Sequence, residues 1–550
     1  MKIAPLPLLL GLVLAALSTF FIWAHLAAPV DMVDAPSGKV RCVSYTPYRD
    51  NETPFNPDYV ADPARIDSDL AMLSQVTSCV RTYSVKQGLD QVVPAAEKHG
   101  MQVLLGIWIG REEKGNQQEI AQAIAVANAH PKTIRAIIIG NEVLLRGEQQ
   151  PDDLIRYLKQ VKAATGLPVT YADVTDFWMK APKELADAVD FITIHILPYW
   201  ENNPTSAEGG VAYLKSVREE VAAEFPGKRI FIGETGFPSA GRERAEAVPS
   251  IVAQARYLRE LAVYADSIGL DYNLIEAFDQ PWKRALEGTA GGHWGLFTTD
   301  RELKFPETGP VTNYPHWQRE AGAAFAISLF ALLMLAWRGN VGGMLPGIAA
   351  GIGSALAGTA LVLQAEHSWL AWRSPLEATV ELLVFLQSLA VIIVVLPEVA
   401  RGERAVAPLP IARTVAWLRA PRRSPFDRAH ALGLVQLSVT ASMLVISLGL
   451  SFDNRYRDFP NAAYAIAVGG FVLLALQRGD YRRAPEGRRE EALFALLLAL
   501  NAVAIAFNEG PQNIQALIWC ALNLLFALPW LAVARTAWRR TFRNAAAATA

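Results

Sequence analysis

The chain has 550 residues, room for more than one domain, and its formal net charge of −2 argues against nucleic acid as the main partner. Three cysteines are too few for a disulfide framework, a four-cysteine zinc site or an iron–sulfur cluster. The eight histidines show no HExxH or similar spacing and no glycine-rich phosphate loop follows a strand, so no metal and no organic cofactor is expected.

In chain order, Pro5 to Ala28 is an apolar stretch behind Lys2. It is long enough to cross a bilayer, at about 20 residues per span. Leu26-Ala27-Ala28 loosely resembles a cleavage site, so residues 1–28 are either an anchor or a signal, and the length of the run favours the anchor. Eight apolar runs follow between residues 40 and 280: VRCVSYTP, SCVRTYSV, QVLLGIWI, TIRAIIIG, LPVTYADV, DFITIHIL, RIFIGET and YNLIEAF. Stretches of helical period such as QEIAQAIAVANAH and DDLIRYLKQVKAAT lie between them. Strands alternating with helices predict an α/β domain with parallel pairing, and eight such units predict a (β/α)8 TIM barrel over 29–320. A doubly wound open sheet is the alternative. It is disfavoured because polar and aromatic residues close nearly every run, as a ring of active-site loops requires. Cys42 and Cys79 fall on neighbouring predicted strands and are read as buried free thiols.

Two runs stop at a glycine and then present a carboxylate: IIIGNEV at Glu142 and RIFIGETGFPS at Glu234. They close the fourth and seventh runs, on opposite parts of the predicted ring, so the two groups can face each other across its mouth. Such a pair suits an acid and a nucleophile acting on a glycosidic bond. Glu112, Glu113 and Glu148 are read instead as loop charges or helix caps.

GNE at the fourth strand and GETGFPS at the seventh resemble the family 17 glycoside hydrolases, whose members act on β-1,3-glucans. SYTPYR, RTYS, LLGIWI and FDQPWK extend the resemblance in the same order, over roughly residues 40–310. It implies a retaining mechanism, with Glu142 as general acid/base and Glu234 as nucleophile. For the acid role, the surroundings of Glu142 are expected to raise its pKa. Asn141 is placed to hydrogen-bond the sugar 2-hydroxyl, and Tyr199 to hydrogen-bond Glu234. His195 and Leu197 stand where plant members carry asparagine and tyrosine, a departure that touches the subsites. Tyr45, Tyr48, Tyr83, Trp108, Trp200 and Trp282 sit at or just past strand ends, and as a set at one rim they favour a floor for sugar rings. Glu276 and Asp279 resemble family positions that bind sugar hydroxyls. Arg81 either does the same or holds a carboxylate ionised.

From about residue 320 the composition changes to apolar stretches separated by arginine-rich connectors. Seven spans are predicted, at 321–337, 343–364, 376–397, 430–451, 462–476, 491–508 and 512–534, which makes 321–550 a bundle of about seven transmembrane helices. Arg401, Arg404, Arg413, Arg419, Arg422, Arg423 and Arg428 fill one connector. Arg478, Arg482, Arg483, Arg488 and Arg489 fill another, and Arg535, Arg539, Arg540 and Arg543 follow the last span. The positive-inside rule then puts the C-terminus in the cytoplasm and 29–320 on the periplasmic side of a bacterial inner membrane. Glu381, Gln436, Asn501 and Asn523 lie in or near the spans and are read as helix-to-helix hydrogen bonding rather than a substrate path. Bacterial relatives with a similar extension are associated with synthesis or branching of periplasmic β-(1,3),(1,6)-glucans. The expected partners are therefore β-glucan, the lipid bilayer and glucan synthesis or export machinery. Two readings of other kinds remain: a polymer-binding scaffold or transporter, and an enzyme of a related barrel family acting on another polysaccharide.

Overall fold

Eight short strands close a ring in the computed structural model, which describes residues 5–36, 39–338, 341–421, 425–479 and 488–548, with side chains omitted at residue 5 and over 532–548. The strands are β1 (Val43–Ser44), β2 (Cys79–Arg81), β3 (Gln102–Ile107), β4 (Ile134–Asn141), β5 (Val169–Val174), β6 (Ile192–His195), β7 (Ile230–Thr235) and β8 (Tyr272–Leu274). All pair in parallel in sequence order, and Val43 against Leu274 completes the barrel. The predicted α/β barrel is therefore present, and the open sheet is not. Pro29–Thr312 forms one compact unit and Met1–Ala28 with Asn313–Ala550 another.

The continuous apolar runs become strands because both of their faces are buried. Leu104, Ala136, Ile138 and Ala172 belong to one buried cluster with Phe191 and Phe231. Their neighbours Val103, Leu105, Ile137 and Ile139 belong to the larger cluster shared with the surrounding helices. That alternation is the two-residue period of a strand with apolar residues on both sides. Helix starts and stops are set locally. Asp62, Ser206 and Ser250 cap helices Pro63–Leu73, Ala207–Glu224 and Ile251–Ile268, and Gly166 and Gly269 end two helices in the left-handed conformation.

Cys42 and Cys79 are joined as a disulfide beside β1 and in β2, which corrects the expectation of free thiols. The β1–β2 register, Val43 against Val80, sets the two positions side by side at a Cα separation of 4.5 Å. Cys520 is free and buried.

The second unit contains, among the described residues, eight helices long and apolar enough to cross a membrane: Leu6–Leu26, Trp317–Trp337, Met344–Ala371, Pro375–Val399, Arg428–Phe452, Asn461–Arg478, Arg489–Glu509 and Ile514–Leu531. The first packs backbone against backbone on the third. A side chain at Gly351 would meet the Gly11 carbonyl at 2.3 Å, and one at Gly347 the Pro7 carbonyl at 2.5 Å. Glycines four apart permit this approach between apolar helices. The polar groups within these apolar helices mostly bond to neighbouring helices. Asn501 accepts from Ser451 at 2.8 Å, Asn523 from Ser447 at 3.1 Å, and Glu381 from Ser368 at 2.8 Å. Gln436 is buried with its Oε1 unpartnered. The first arginine connector contains a helix, Ile411–Arg419, that apolar patterning did not reveal. Lys2, Arg422, Arg423, Arg482 and Arg483 lie outside the described residues, as do the side chains of Arg535, Arg539, Arg540 and Arg543.

Candidate active site

The two singled-out carboxylates arise where the sheet loses register. Pairing slips between Ile138 and Asn141 on β4, between Ile194 and His195 on β6, and between Ile232 and Thr235 on β7. Such irregularities at a barrel rim re-aim side chains. Glu142 is the first residue past β4 and has φ 53°, a left-handed conformation that costs a non-glycine residue roughly 1 kcal/mol or more. Its N–H donates to the Ala172 carbonyl at 2.8 Å, which pins the turn. The following N–H groups are held too: Leu144 donates to Tyr171 Oη at 2.9 Å and to Asp173 Oδ2 at 3.2 Å. Strained backbone fixed by so many partners delivers Glu142 to the C-terminal end of the strands, its side chain 25% exposed.

Glu234 lies inside β7 with its side chain 7% exposed. Its Oε1 accepts from Tyr83 Oη at 2.8 Å and from Arg81 Nη1 at 3.1 Å. Arg81 also donates to the Gly233 carbonyl at 2.7 Å and to Asn141 Oδ1 at 2.6 Å, tying β2, β4 and β7 together. Burial alone would raise the Glu234 carboxyl. The charges of His195 and Arg81, with the Tyr83 hydrogen bond, outweigh it and hold the group well below the usual carboxylate range. Arg81 is thus the holder of an ionised carboxylate, one of the two roles the sequence left open.

His195 stands between the acids. Its Nδ1 is 3.4 Å from Glu142 Oε1 and 3.3 Å from Glu234 Oε2, which are ion-pair rather than good hydrogen-bond distances. Burial would push the imidazole down, but the charges of Glu234 and Glu142 lift it to about 9. Gly233 makes room for the ring, because a Cβ there would sit 3.3 Å from His195 Nε2 and 2.5 Å from Thr193 Cγ2. One donor atom from each of Glu142, His195 and Glu234 lies within 4.8 Å of the others. Arg81 already supplies positive charge to Glu234, and the two acids raise the proton affinity of His195, an arrangement that suits proton transfer among the three groups. One oxygen of Glu142 and one of Glu234 lie within 4.8 Å of each other, the close approach that covalent glycosyl transfer asks of its two carboxyl groups, about 5 Å apart.

The other expected site residues divide into two groups. Tyr83 and Asn141 join the central network, and Trp108 is 42% exposed with the Arg146 guanidinium 4.4 Å over its ring. Trp282 is half-buried in an aromatic wall with Tyr48 and the 68% exposed Phe55. Glu276 is buried against Lys283 Nζ at 2.7 Å; burial raises its carboxyl to about 7 although Lys283 opposes the shift. Three expectations need correction. Tyr45 is fully buried and donates to Asp69 Oδ2 at 3.1 Å, so it buttresses the barrel instead of flooring a sugar. Tyr199 is buried and donates to the Arg242 carbonyl at 2.8 Å; Tyr83, not Tyr199, is the tyrosine on Glu234. Asp279 is buried, accepting from Lys304 Nζ at 2.6 Å and from the Gly295 N–H at 2.9 Å, which makes it a loop clamp. Lys283, Asp173, Tyr171 and Arg146 were missed, and so was the place of His195. Lys283 was present in FDQPWK, but nothing local to the motif tells that it turns onto Glu276.

Comparison with known proteins agrees with this geometry. Residues 42–295 match the family model of the BtgE/BtgC glycoside hydrolase domain. A glucan 1,3-beta-glucosidase of Candida albicans is 25% identical over 266 residues, 44% of this chain and 86% of the relative. One from Arthroderma benhamiae is 28% identical over 262 residues, covering 44% and 84%. A probable glucan endo-1,3-beta-glucosidase of Aspergillus fumigatus is 26% identical over 304 residues, covering 49% and 44%. Among solved structures, a Rhizomucor miehei β-1,3-glucanosyltransferase active-site mutant in complex with laminaritriose is 26% identical, covers 50% of this chain and 98% of its own, and has a TM-score of 0.43. With the barrel and the carboxylate pair in hand, residues 42–295 are a glycoside hydrolase domain of the BtgE/BtgC, family 17-like kind, and the protein is an enzyme.

Proposed function

We propose that the barrel cleaves or rebuilds β-1,3-glucan by a retaining mechanism, with Glu234 as nucleophile and Glu142 as general acid/base. The observation that carries this reading is the pairing of an ionised, doubly hydrogen-bonded Glu234 with a more exposed Glu142 within covalent-transfer distance. Glu234 attacks the anomeric carbon while Glu142 protonates the leaving oxygen. Glu142 then takes the proton of a water or of an incoming sugar hydroxyl, which breaks the ester. Similarity to glucan 1,3-beta-glucosidases supports the substrate. Asn141, Trp108, Trp282 and Glu276 are the proposed sugar contacts. Incubating the full-length, detergent-solubilised protein with laminari-oligosaccharides is expected to yield products. Chains longer than the donor identify transfer, and shorter ones alone identify hydrolysis. Unchanged sugar with measurable binding would overturn the enzymatic reading in favour of a scaffold.

The eight apolar helices are proposed to embed the enzyme in a bacterial inner membrane, with the barrel on the periplasmic side and the C-terminus in the cytoplasm. Two independent features support this orientation. Arginines cluster in alternate connectors, and the Cys42–Cys79 disulfide belongs in an oxidising compartment. Thiol alkylation of denatured protein from whole cells tests it: only Cys520 should react until a reductant is added. Three reactive thiols before reduction would put the barrel on the reducing side.

A further inference from the structure

The mechanism above leaves one fully buried, ionisable side chain without a task. His195 fills the gap between the two carboxylates, and neither of its ring nitrogens has a hydrogen-bond partner of good geometry. A structural histidine of this burial normally bonds to a backbone carbonyl or a single acid. This one is aimed with Nδ1 at two acids nearly equally. Other charged groups reach it only from the side or at second hand. Asp173 faces it from β5, while Arg81 and Tyr83 act through Glu234.

Resting on the proposed retaining reaction, we infer that His195 is a positioning residue that stores the acid catalyst's proton. Glu142, His195 and Glu234 hold one mobile proton between them, and it passes between His195 Nδ1 and Glu142 Oε1. The proton count closes over the cycle. At rest the proton is on His195 and both acids are carboxylates, a state its lifted proton affinity supports. Transfer to Glu142 leaves a neutral imidazole, a carboxylic acid and the Glu234 carboxylate, which is the reactive arrangement, reached with no proton taken from solvent. Glu234 then bonds to the anomeric carbon, the glycosidic C–O bond breaks, and the proton leaves on the departing oxygen. The acceptor hydroxyl returns a proton to Glu142 as the ester breaks, and the trio is restored. While Glu234 is esterified, His195 has lost one of its two counter-charges and binds a proton less tightly. The imidazole therefore does not compete with Glu142 for the acceptor's proton.

The test uses full-length protein and two donors, a laminari-oligosaccharide and an aryl β-glucoside whose leaving group needs no proton. For His195→Asn, kcat/KM on the oligosaccharide should lose its basic limb at a pH lower by about two units. The aryl donor's glycosylation rate should fall by a smaller factor than the oligosaccharide's, and its basic limb should stay where the parent's is, because its departure needs no acid. A variant profile superimposable on the parent's, or an equal loss on both donors across all pH values, overturns the inference. Imidazole NMR of the parent protein gives a measurement independent of any variant's folding. The His195 resonance should titrate well above an ordinary histidine, and its midpoint should fall by at least about one unit once Glu234 is trapped as a 2-fluoroglycosyl ester. An unmoved midpoint overturns the inference. Failure of the parent to turn over sugar or to accept the label would sink the proposed reaction itself, which keeps the two failures apart.

Discussion

Glu234→Ala is expected to lower turnover of laminari-oligosaccharides by about 10⁴-fold, the scale seen when one member of a cooperating catalytic group is removed. The physical reason is that the covalent ester cannot form, and neither Glu142 nor Tyr83 can take its place at the anomeric carbon. Folding should survive. Arg81 keeps the Gly233 carbonyl and Asn141 Oδ1 as acceptors, and β7 keeps its ladder. Some stability will still be lost, because removing one partner of a buried pair strands the other charge, at a cost on the order of 3–5 kcal/mol. Glu234→Gln keeps a hydrogen-bonding oxygen and should melt closer to the parent while being equally inactive. Initial rates and thermal melts of the parent and both variants check this. An alanine variant with more than a tenth of parental activity would remove Glu234 from the nucleophile's role.

Loss of the proposed acid/base has a different signature. Glu142→Ala should slow cleavage of unactivated glucan by roughly 10²–10⁴-fold. An aryl donor that departs without a proton should form the ester at close to the parental rate. Breakdown of that ester still needs a base, so the intermediate accumulates, and a burst of phenol followed by a slow steady state is the predicted trace. Exogenous azide, which needs no base, should speed the second step and leave with retained configuration. Equal loss in both steps, with no burst and no azide effect, would mean that Glu142 holds structure rather than moves protons. The left-handed backbone at Glu142 sharpens the comparison, since Glu142→Gly removes the acid and relieves the strain together and should be the more stable variant.

Much of this was legible from local pattern. Runs such as IIIGN and RIFIGET announce buried parallel strands because helices on one side and the ring interior on the other leave no polar face. A carboxylate just past such a run lands at the C-terminal end of the strands, so Glu142 and Glu234 were found without coordinates. The apolar helices were equally plain, although Met344–Ala371 runs past the predicted end at 364, because a long apolar run is a property of one segment.

The errors have a common origin. Tyr45, Tyr83 and Tyr199 all sit at strand ends and look alike in sequence, yet one braces Asp69, one holds Glu234 and one bonds to the Arg242 carbonyl. Asp279 looks like a sugar contact in sequence, but Lys304, which turns back onto it from farther along the chain, sets its environment. Cys42 and Cys79 read as free thiols in sequence because their pairing depends on the register between β1 and β2.

Sequence alone, then, determined the barrel, the long apolar helices and the two acids at the strand ends, because periodicity and the end of an apolar run are encoded within one segment. Tertiary structure decided what each acid meets. Arg81 and Tyr83 come from the second strand, His195 from the sixth and Glu234 from the seventh, and only closing the ring with its register slips turns them onto one another. The separation of two carboxylates and the place of the histidine between them depend on distances across a barrel, which no single stretch of chain contains.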